Sequence, residues 1–285
     1  MVKSKRKTKS IAFHEAVRMI SPGTKIREAI SMMLQSRLGA LLCIGDPKKL
    51  ADLSDGGVEL NAACTPQLLY ELSKMDGAII LNEDGSTITY ANRFLTPSNS
   101  IVSHETGTRH IAAERMAKQA KCAVVAVSER RSSVTLYVQN TRHVLDSLPT
   151  LLNKSAQALQ TLEKYISSLN LSMLDLSTRE FEDMVTIFDV CKAIQRCEMS
   201  RRIASEIEPY ILELGTEGRL IELQLRELTI PIEEASLVTR DYYKQKPSAS
   251  PEVVQQRIEE LSQDELISLE AISPVSYTHL RAHET

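Results

Sequence analysis

Residues 65–90 read TPQLLYELSKMDGAIILNEDGSTITY, and this stretch decides the fold class. Thr65 and Pro66 are typical of a helix start, and the leucines that follow at helical spacing predict a short helix. Residues 78–81 (AIIL) form an apolar run of strand length, and the turn-forming stretch NEDG leads into a second strand over 86–90. A helix followed by a strand hairpin predicts an α/β domain.

The same alternation of helix and strand patterns continues on both sides of this stretch. Thr24 is a suitable N-cap for the helix before it. The further predicted elements are a helix over 25–36, a strand over 40–45, a helix over 109–121, and strands over 122–127 and 134–138. Residues 1–145 are therefore predicted to form a mixed sheet flanked by helices, with a nucleotide site in it.

Beyond about residue 146 the pattern changes to long amphipathic segments that contain few glycines and prolines. This pattern predicts an all-α helical bundle over 146–246, and we interpret its apolar stripes as core and subunit contacts. A linker and one more amphipathic helix follow over 247–273, and 274–285 is interpreted as a non-native tail. The predicted bundle helices are 148–169, 178–198, 201–214 and 217–244.

Composition excludes several classes of protein. The chain of 285 residues is 42% hydrophobic, enough for a buried core, but no apolar run approaches the roughly 20 residues of a membrane span. The N-terminal residues 3–7 (KSKRK) also lack the apolar stretch of a signal peptide, so the expected location is the cytoplasm, with no membrane partner. Five cysteines without a C-x-x-C pair predict reduced, buried thiols. A net charge of −3 and 4% aromatic residues do not describe a general nucleic-acid binder.

Two short segments carry the chemistry, Asp76-Gly77-Ala78 and Gly107-Thr108-Arg109-His110. The second opens a helix, where free N–H groups and the helix dipole favour an anion and disfavour cations. Arg109 and His110 at that point therefore indicate a strongly negative ligand, and we expect ATP. An ordinary Asp-Gly turn also explains the first segment. A solvated helix start explains Thr108 as a cap but leaves the two cationic groups unexplained.

Several motifs occur in an order that resembles one family. They are MDGA at 75–78, ETGTRH at 105–110, AER at 113–115, SERR at 128–131 and ELGTEG at 213–218. Together they resemble the DisA family of diadenylate cyclases over most of the chain. One such motif is a weak signal, whereas several in register are a strong one.

The resemblance implies an enzyme that condenses two ATP molecules into cyclic di-AMP and releases two pyrophosphates, with Mg²⁺ or Mn²⁺. Each cyclase domain would hold one ATP, so two domains would face each other, and the helical region would help to assemble a homo-octamer. In the family a C-terminal helix-hairpin-helix domain binds branched DNA. That domain is missing here, so DNA binding is expected of the full-length family rather than of this chain.

The resemblance also implies roles for individual residues. Asp76 would bind the metal and help to deprotonate the attacking hydroxyl, Arg109 and His110 would join it in catalysis, and Leu95 would pack against adenine. The expected nucleotide-binding residues are Gly77, Ala78, Leu95, Gly107, Thr108, Arg109, His110, Ile111, Ala112, Ser128, Arg130 and Arg131.

The chain departs from the family at one point, because the usual Arg-His-Arg followed by Thr becomes Arg109-His110-Ile111-Ala112. Losing a charged phosphate contact would cost on the order of 1.5 to 3 kcal/mol. Ile111 packing beneath the site, with Arg130 or Arg131 compensating, is one interpretation. A nucleotide-binding scaffold with weak or no cyclase activity is the alternative function, and a DNA-binding checkpoint module is a third.

Overall fold

The computed structural model describes residues 11–130, 132–242, 250–269 and 272. The chain divides into one unit of residues 1–150 with 212–217 and another of 151–211 with 218–285. The predicted tail over 274–285 and predicted site residue Arg131 lie outside the described residues.

The first unit alternates short helices and strands. Its helices are α1 (Phe13–Ile20), α2 (Lys25–Gln35), α3 (Pro47–Asp52), α4 (Pro66–Leu72) and α5 (Thr108–Ala120). Its strands are β1 (Ala40–Ile44), β2 (Ser54–Asp55), β3 (Val58–Ala63), β4 (Ala78–Leu81), β5 (Thr87–Leu95), β6 (Ala123–Ser128), β7 (Ser133–Val138) and β8 (Thr141–Leu145).

These strands form one mixed sheet in the order β2-β5-β4-β1-β6-β7-β8, with β3 also paired to β5. β1 and β4 are parallel, and the other paired strands are antiparallel. Helices cover the sheet, so the predicted fold class, a mixed sheet with flanking helices followed by a helical region, is confirmed.

Apolar clusters on both faces of the sheet explain why its central strands are continuous apolar runs. Leu42 and Ile44 of β1 pack in a cluster with residues of α1 and α2. Leu41 and Cys43, which alternate with them, pack in a second cluster with Met116 of α5. The central strands are thus buried from both sides, and the sites open to ligands lie at the strand ends.

Three strands of this unit were not predicted: β2, which has only two residues, and the longer β3 and β8. β3 is exposed along most of its length, and β8 is exposed or half-buried except at Leu145. Neither strand carries an apolar alternation, because each pairs at the periphery of the sheet. Their formation depends on backbone hydrogen bonds to β5 and β7, which the residue pattern does not reveal.

The second unit is built from helices. They are α6 (Leu148–Phe181), α7 (Ile187–Leu214), a 3-10 turn (Gly215–Gly218), α8 (Arg219–Ser236), α9 (Val238–Asp241), α10 (Pro251–Glu260) and α11 (Gln263–Ile267). α6 begins, and α7 ends, in residues that count with the first unit. Leu176, Val190, Val254 and Leu266 share one buried apolar cluster of the second unit.

The predicted helix boundaries in this region are partly wrong. α6 runs without interruption through the predicted gap after residue 169, and α7 through the predicted gap at 199–200. The actual break follows Phe181, where Asp183 takes a left-handed conformation (φ 55°). Thr186 then opens α7, since its hydroxyl accepts from the Asp189 N–H and its own N–H donates to the Asp189 carboxylate. Reciprocal side-chain capping of this kind starts a helix.

The single amphipathic helix predicted within 247–273 is also interrupted. α10 ends at Glu260, and Ser262 caps α11 through a reciprocal pair of bonds with Glu265. Here too a capping box places the boundary.

Candidate active site

The topology brings the two predicted motifs to one end of the sheet. β1 and β4 are parallel, so Gly39 and Gly77, which precede them, lie at the same end. β6 is antiparallel to β1, and the pairing of Ala40 with Val127 shows that β6 finishes there. Because α5 is joined to the start of β6 by a two-residue link, α5 begins at the end where β6 finishes. The start of α5 therefore faces the start of β4.

A cavity of about 300 Å³ opens between these segments. It is lined by Leu41, Asp76, Gly77, Ala78, Arg93, Phe94, Leu95, Thr108, Arg109 and Ala112. All of these except Leu41, Arg93 and Phe94 are sequence-predicted site residues.

Asp76 lies exposed at this cavity, just before β4. Gly77 holds it there with φ +93°, and a Cβ on Gly77 would come within 2.9 Å of the carbonyl oxygen of Arg93. This close approach of backbone to backbone requires glycine. In the part of the chain that the structure describes, the Asp76 carboxylate makes no hydrogen bond or ion pair.

The side chains at this cavity suit a divalent metal ion only if other ligands accompany the ion. No group of three or more His, Cys, Asp or Glu side chains suited to a metal ion occurs among the described residues. Asp76 offers one carboxylate beside an open cavity. Mg²⁺ is commonly held by one or two carboxylates together with substrate phosphates rather than by an all-protein cage. The site suits a metal that arrives with a nucleotide.

The start of α5 differs from the alternative interpretation in which Thr108 caps a solvated helix. Gly107, not Thr108, is the N-cap residue, and no side chain caps the helix. Thr108 is the first helical residue, and it lines the cavity. Uncapped N–H groups at the start of a helix are available to bind an anion.

Arg109 is exposed at this helix start, and its guanidinium lies against Gly39. A Cβ on Gly39 would come within 2.0 Å of Arg109 Nη1, so the absence of a side chain at Gly39 makes room for the guanidinium. No described acid pairs with Arg109, and no hydrogen bond engages it within the described residues. Arg109 is therefore a cation without a described partner at the start of a helix, and its predicted phosphate contact remains a prediction.

His110, unlike Arg109, has protein partners among the described residues. Its Nδ1 lies 2.9 Å from the hydroxyl of Tyr137, which donates to Glu105 Oε1 at 2.8 Å. Arg142 donates to the same carboxylate oxygen at 2.5 Å. Burial alone would raise the pKa of Glu105, but the hydrogen bonds from Tyr137 and Arg142 outweigh it and hold that pKa below its ordinary value. A protein carboxylate therefore lies close to the imidazole.

A second cavity of about 650 Å³ adjoins the first. Leu95, Thr108 and Ala112 line both cavities, whereas half-buried Ile111 lines only the second. Its remaining lining residues are Thr96, Pro97, Ser98, Asn99 and Arg115. The position at which the sequence departs from the family motif thus faces open space beside the first cavity.

The other predicted nucleotide-binding residues do not line either cavity. Ser128 ends β6 at the same end of the sheet, and Arg130 is exposed in the turn that follows. Neither residue lines the two cavities, and neither do Gly107 and His110. Their predicted role in phosphate binding remains a prediction.

Arg93 is a cavity residue that sequence reasoning missed. Its guanidinium donates to Ser54 Oγ at 3.0 Å and to the carbonyl oxygens of Ala51, Ser54 and Gly56 at 2.8, 2.5 and 2.5 Å. These bonds fix the α3–β2 segment against β5. An arginine inside a strand is the sequence feature that could have drawn attention to Arg93, but only the fold shows which carbonyl groups it contacts.

Both units match descriptions of one protein family. Residues 27–142 match "DisA bacterial checkpoint controller nucleotide-binding", and residues 145–279 match "DisA bacterial checkpoint controller linker region". None of the described helices combines the length and apolar character that crossing a bilayer requires.

Individual relatives agree with these matches. The DNA integrity scanning protein DisA of Carboxydothermus hydrogenoformans is 46% identical over 258 residues, 90% of this chain and 73% of the relative. DisA of Clostridium botulinum strain Eklund 17B is 45% identical over 271 residues, 95% of this chain and 76% of the relative. Among solved structures, DacA of Staphylococcus aureus aligns with 43% of this chain and 85% of its own, at 24% identity and a TM-score of 0.36. The chain belongs to the DisA family.

Proposed function

We propose that this chain is a diadenylate cyclase that condenses two ATP molecules into cyclic di-AMP and releases two pyrophosphates. The observation that carries the proposal is the cavity of a DisA nucleotide-binding domain in which Asp76 and Arg109 both lack a protein partner among the described residues. A carboxylate and a guanidinium left unpaired at one cavity suit a ligand with both a metal and phosphates.

In this proposal the start of α5 binds the triphosphate. Arg109 and the Thr108 hydroxyl contact phosphate oxygens, together with the uncapped N–H groups of the first turn. Leu95 packs against the adenine ring, with Leu41 and Ala78 as further apolar lining. The adjoining cavity, with Ile111, gives the nucleotide room beyond the first one.

Asp76 would hold the Mg²⁺ or Mn²⁺ ion that accompanies the nucleotide. When bound, such an ion neutralises phosphate charge and favours ionisation of a coordinated hydroxyl. Asp76 also helps to remove the proton as the 3′-oxygen of one ATP bonds to the α-phosphorus of the other. The bond from that phosphorus to pyrophosphate breaks, and the same exchange in the opposite direction closes the ring.

Two domains must face each other for this reaction, because each holds one ATP. The exposure of Asp76 and of Phe94, which is 70% exposed at the cavity, supports an opening toward a second subunit. We extend the proposal to a homo-octamer assembled through the helical unit, to a cytoplasmic location and to DNA integrity signalling. In this proposal, branched DNA is bound by the full-length members of the family rather than by this chain.

The test is product formation from ATP and Mn²⁺, separated by anion-exchange chromatography. We expect cyclic di-AMP from the wild type and a loss of at least about 100-fold in Asp76→Asn, in line with removal of a group that acts in the transition state. Asp52→Asn is the matched control, because Asp52 is exposed and does not line either cavity.

Nucleotide binding is measured separately, by calorimetry with 3′-deoxy-ATP, which lacks the attacking hydroxyl. Arg109→Ala should weaken binding, whereas Arg18→Ala, which removes an exposed arginine of α1, should not. A wild type that binds this analogue but forms no cyclic di-AMP, with Asp76→Asn indistinguishable from it, would contradict the cyclase proposal.

A further inference from the structure

Four side chains connect the first turn of α5 to the β7–β8 hairpin. His110 of α5 contacts Tyr137 of β7, Tyr137 contacts Glu105, and Arg142 of β8 contacts Glu105. Tyr137 and Arg142 are directly paired across the two strands, and Tyr137 is only 1% exposed. Two of the four side chains are therefore held by the sheet, whereas Glu105 comes from the segment between β5 and α5. Mounting side chains on regular elements favours a fixed geometry.

The direction of each hydrogen bond in this network follows from counting protons. The Tyr137 hydroxyl has one proton, and its pKa is raised by burial and by the Glu105 carboxylate, so it stays protonated. Glu105 accepts from Arg142, and its lowered pKa keeps it ionised and able only to accept. Tyr137 must therefore give its proton to Glu105, because the alternative places two acceptors 2.8 Å apart.

This direction decides which nitrogen of His110 carries a proton. With its own proton committed to Glu105, the Tyr137 oxygen can only accept from Nδ1, 2.9 Å away. Nδ1 must then be an N–H in the neutral as well as the charged imidazole. The other nitrogen, Nε2, is then the atom that gains or loses a proton, and only the imidazolium can donate from it.

We propose that Tyr137 and Glu105 are positioning residues that keep the His110 proton on Nδ1 and leave Nε2 as the nitrogen whose protonation can change. The inference rests on the proposed function for the identity of the ligand, but the choice of tautomer is independent of turnover. Arg142 completes the network, since it and Tyr137 both donate to the one Glu105 oxygen.

The first test reads the tautomer directly in nucleotide-free protein. Nitrogen-15 histidine NMR, with the His110 signals identified by their loss in His110→Gln, distinguishes Nδ1–H from Nε2–H. We expect the wild type to carry Nδ1–H when neutral and Tyr137→Phe to show a mixture of tautomers. Tyr70→Phe is the matched control, because that hydroxyl contacts Ser36 at 2.9 Å outside the site and should leave the spectrum unchanged.

Glu105→Gln tests the direction of the bonds. Glutamine can donate to the Tyr137 oxygen, which releases the Tyr137 proton toward Nδ1 and favours the Nε2–H tautomer of His110. The neutral imidazole would then donate from Nε2, so the dependence of kcat/KM on His110 protonation should weaken. Tyr137→Phe should lower kcat/KM about tenfold, mainly through kcat, as expected for losing one orienting hydrogen bond.

The outcomes separate the two proposals. If the wild type forms no cyclic di-AMP but shows Nδ1–H that is lost in Tyr137→Phe, the cyclase proposal fails and the positioning network stands. If cyclic di-AMP forms while wild-type His110 is neutral with Nε2–H, or while Tyr137→Phe leaves both spectrum and pH profile unchanged, the positioning role is overturned.

Discussion

At the scale of single residues, the charged groups at the cavity differ from the two acids nearest α5 in their pairing. Glu105 pairs with Arg142, and Glu114 pairs with Lys118. Asp76 and Arg109 have no such partner in the described part of the chain. A side chain left unpaired where the fold could have supplied a partner is available to a ligand, which is why the cavity suits a metal-bound polyphosphate.

Gly39 offers a test of how Arg109 is placed. Gly39→Ala adds a methyl that the guanidinium now excludes, at 2.0 Å from Nη1. Gly39 does not have a positive φ, so its backbone conformation accepts alanine, and the exposed Arg109 side chain can move away from the added methyl. We therefore expect the free energy of unfolding to change by less than about 1 kcal/mol. Affinity for 3′-deoxy-ATP should fall about tenfold, the size of one charged hydrogen bond.

A double-mutant cycle with Arg109→Ala controls this prediction. If Gly39→Ala acts by displacing the guanidinium, the double variant binds no more weakly than Arg109→Ala alone. Losses of affinity that simply add would show that Gly39 acts by another route.

At the scale of elements, β8 and the C-terminal end of α7 meet through one buried carboxylate. Glu213 Oε2 lies 2.7 Å from His143 Nε2, and Glu213 Oε1 accepts from the Asp146 N–H at 2.7 Å. The segment 212–217 counts with the first unit. The hydrogen bond to Glu213 raises the pKa of His143, although partial burial opposes the shift.

This pair predicts a pH-dependent stability. A raised pKa in the folded state means that the His143–Glu213 contribution is fully present below the unfolded value near 6.5 and is lost as pH rises through the folded-state pKa. Glu213→Gln should therefore lower Tm most in acid and progressively less as the pH rises. Thermal unfolding over that range measures the difference.

Glu71→Gln serves as its control, since Glu71 is exposed and pairs with Lys74 rather than with a histidine. Its effect on Tm should stay nearly constant over the same range. If the loss of Tm in Glu213→Gln is also constant with pH, titration of His143 does not contribute to stability.

At the scale of the whole molecule, the first unit is not one continuous stretch. The chain leaves it at residue 150 and contributes residues 212–217 to it again. In that return, the Thr216 N–H bonds to the carbonyl of Pro22, and Leu212 packs against the core of the first unit. The ELGTEG motif therefore serves the first unit, although its residues follow a long helical segment.

The proposed pairing of two domains predicts the behaviour of mixed oligomers. When wild type and Asp76→Asn are co-expressed in known ratios, cyclic di-AMP formation per total protein should fall with the square of the wild-type fraction. Both facing sites must supply an activated hydroxyl to close the ring, so a linear dinucleotide should accumulate in mixed pairs. Anion-exchange chromatography separates the two products.

Mixtures of wild type with Asp52→Asn should show no such fall. A rate of cyclic product that is simply proportional to the wild-type fraction would mean that each subunit completes the reaction alone, contrary to the proposed pairing.

The sequence by itself determined the features that depend on near neighbours. Thr24 caps α2 through the Arg27 N–H as predicted, and the apolar run at 78–81 forms β4 with the hairpin that follows. These features follow from local turn and capping chemistry and from the spacing of apolar residues. The succession of motifs likewise predicted the family.

Only the tertiary structure decided which distant residues meet. The Tyr137 and Glu105 partners of His110, the carbonyl partners of Arg93 and the room that Gly39 leaves for Arg109 all join residues remote in the chain. Such contacts depend on strand order and register, which no local pattern encodes. This is why the sequence placed His110 at a helix start but did not reveal that Tyr137, itself bonded to Glu105, contacts its ring.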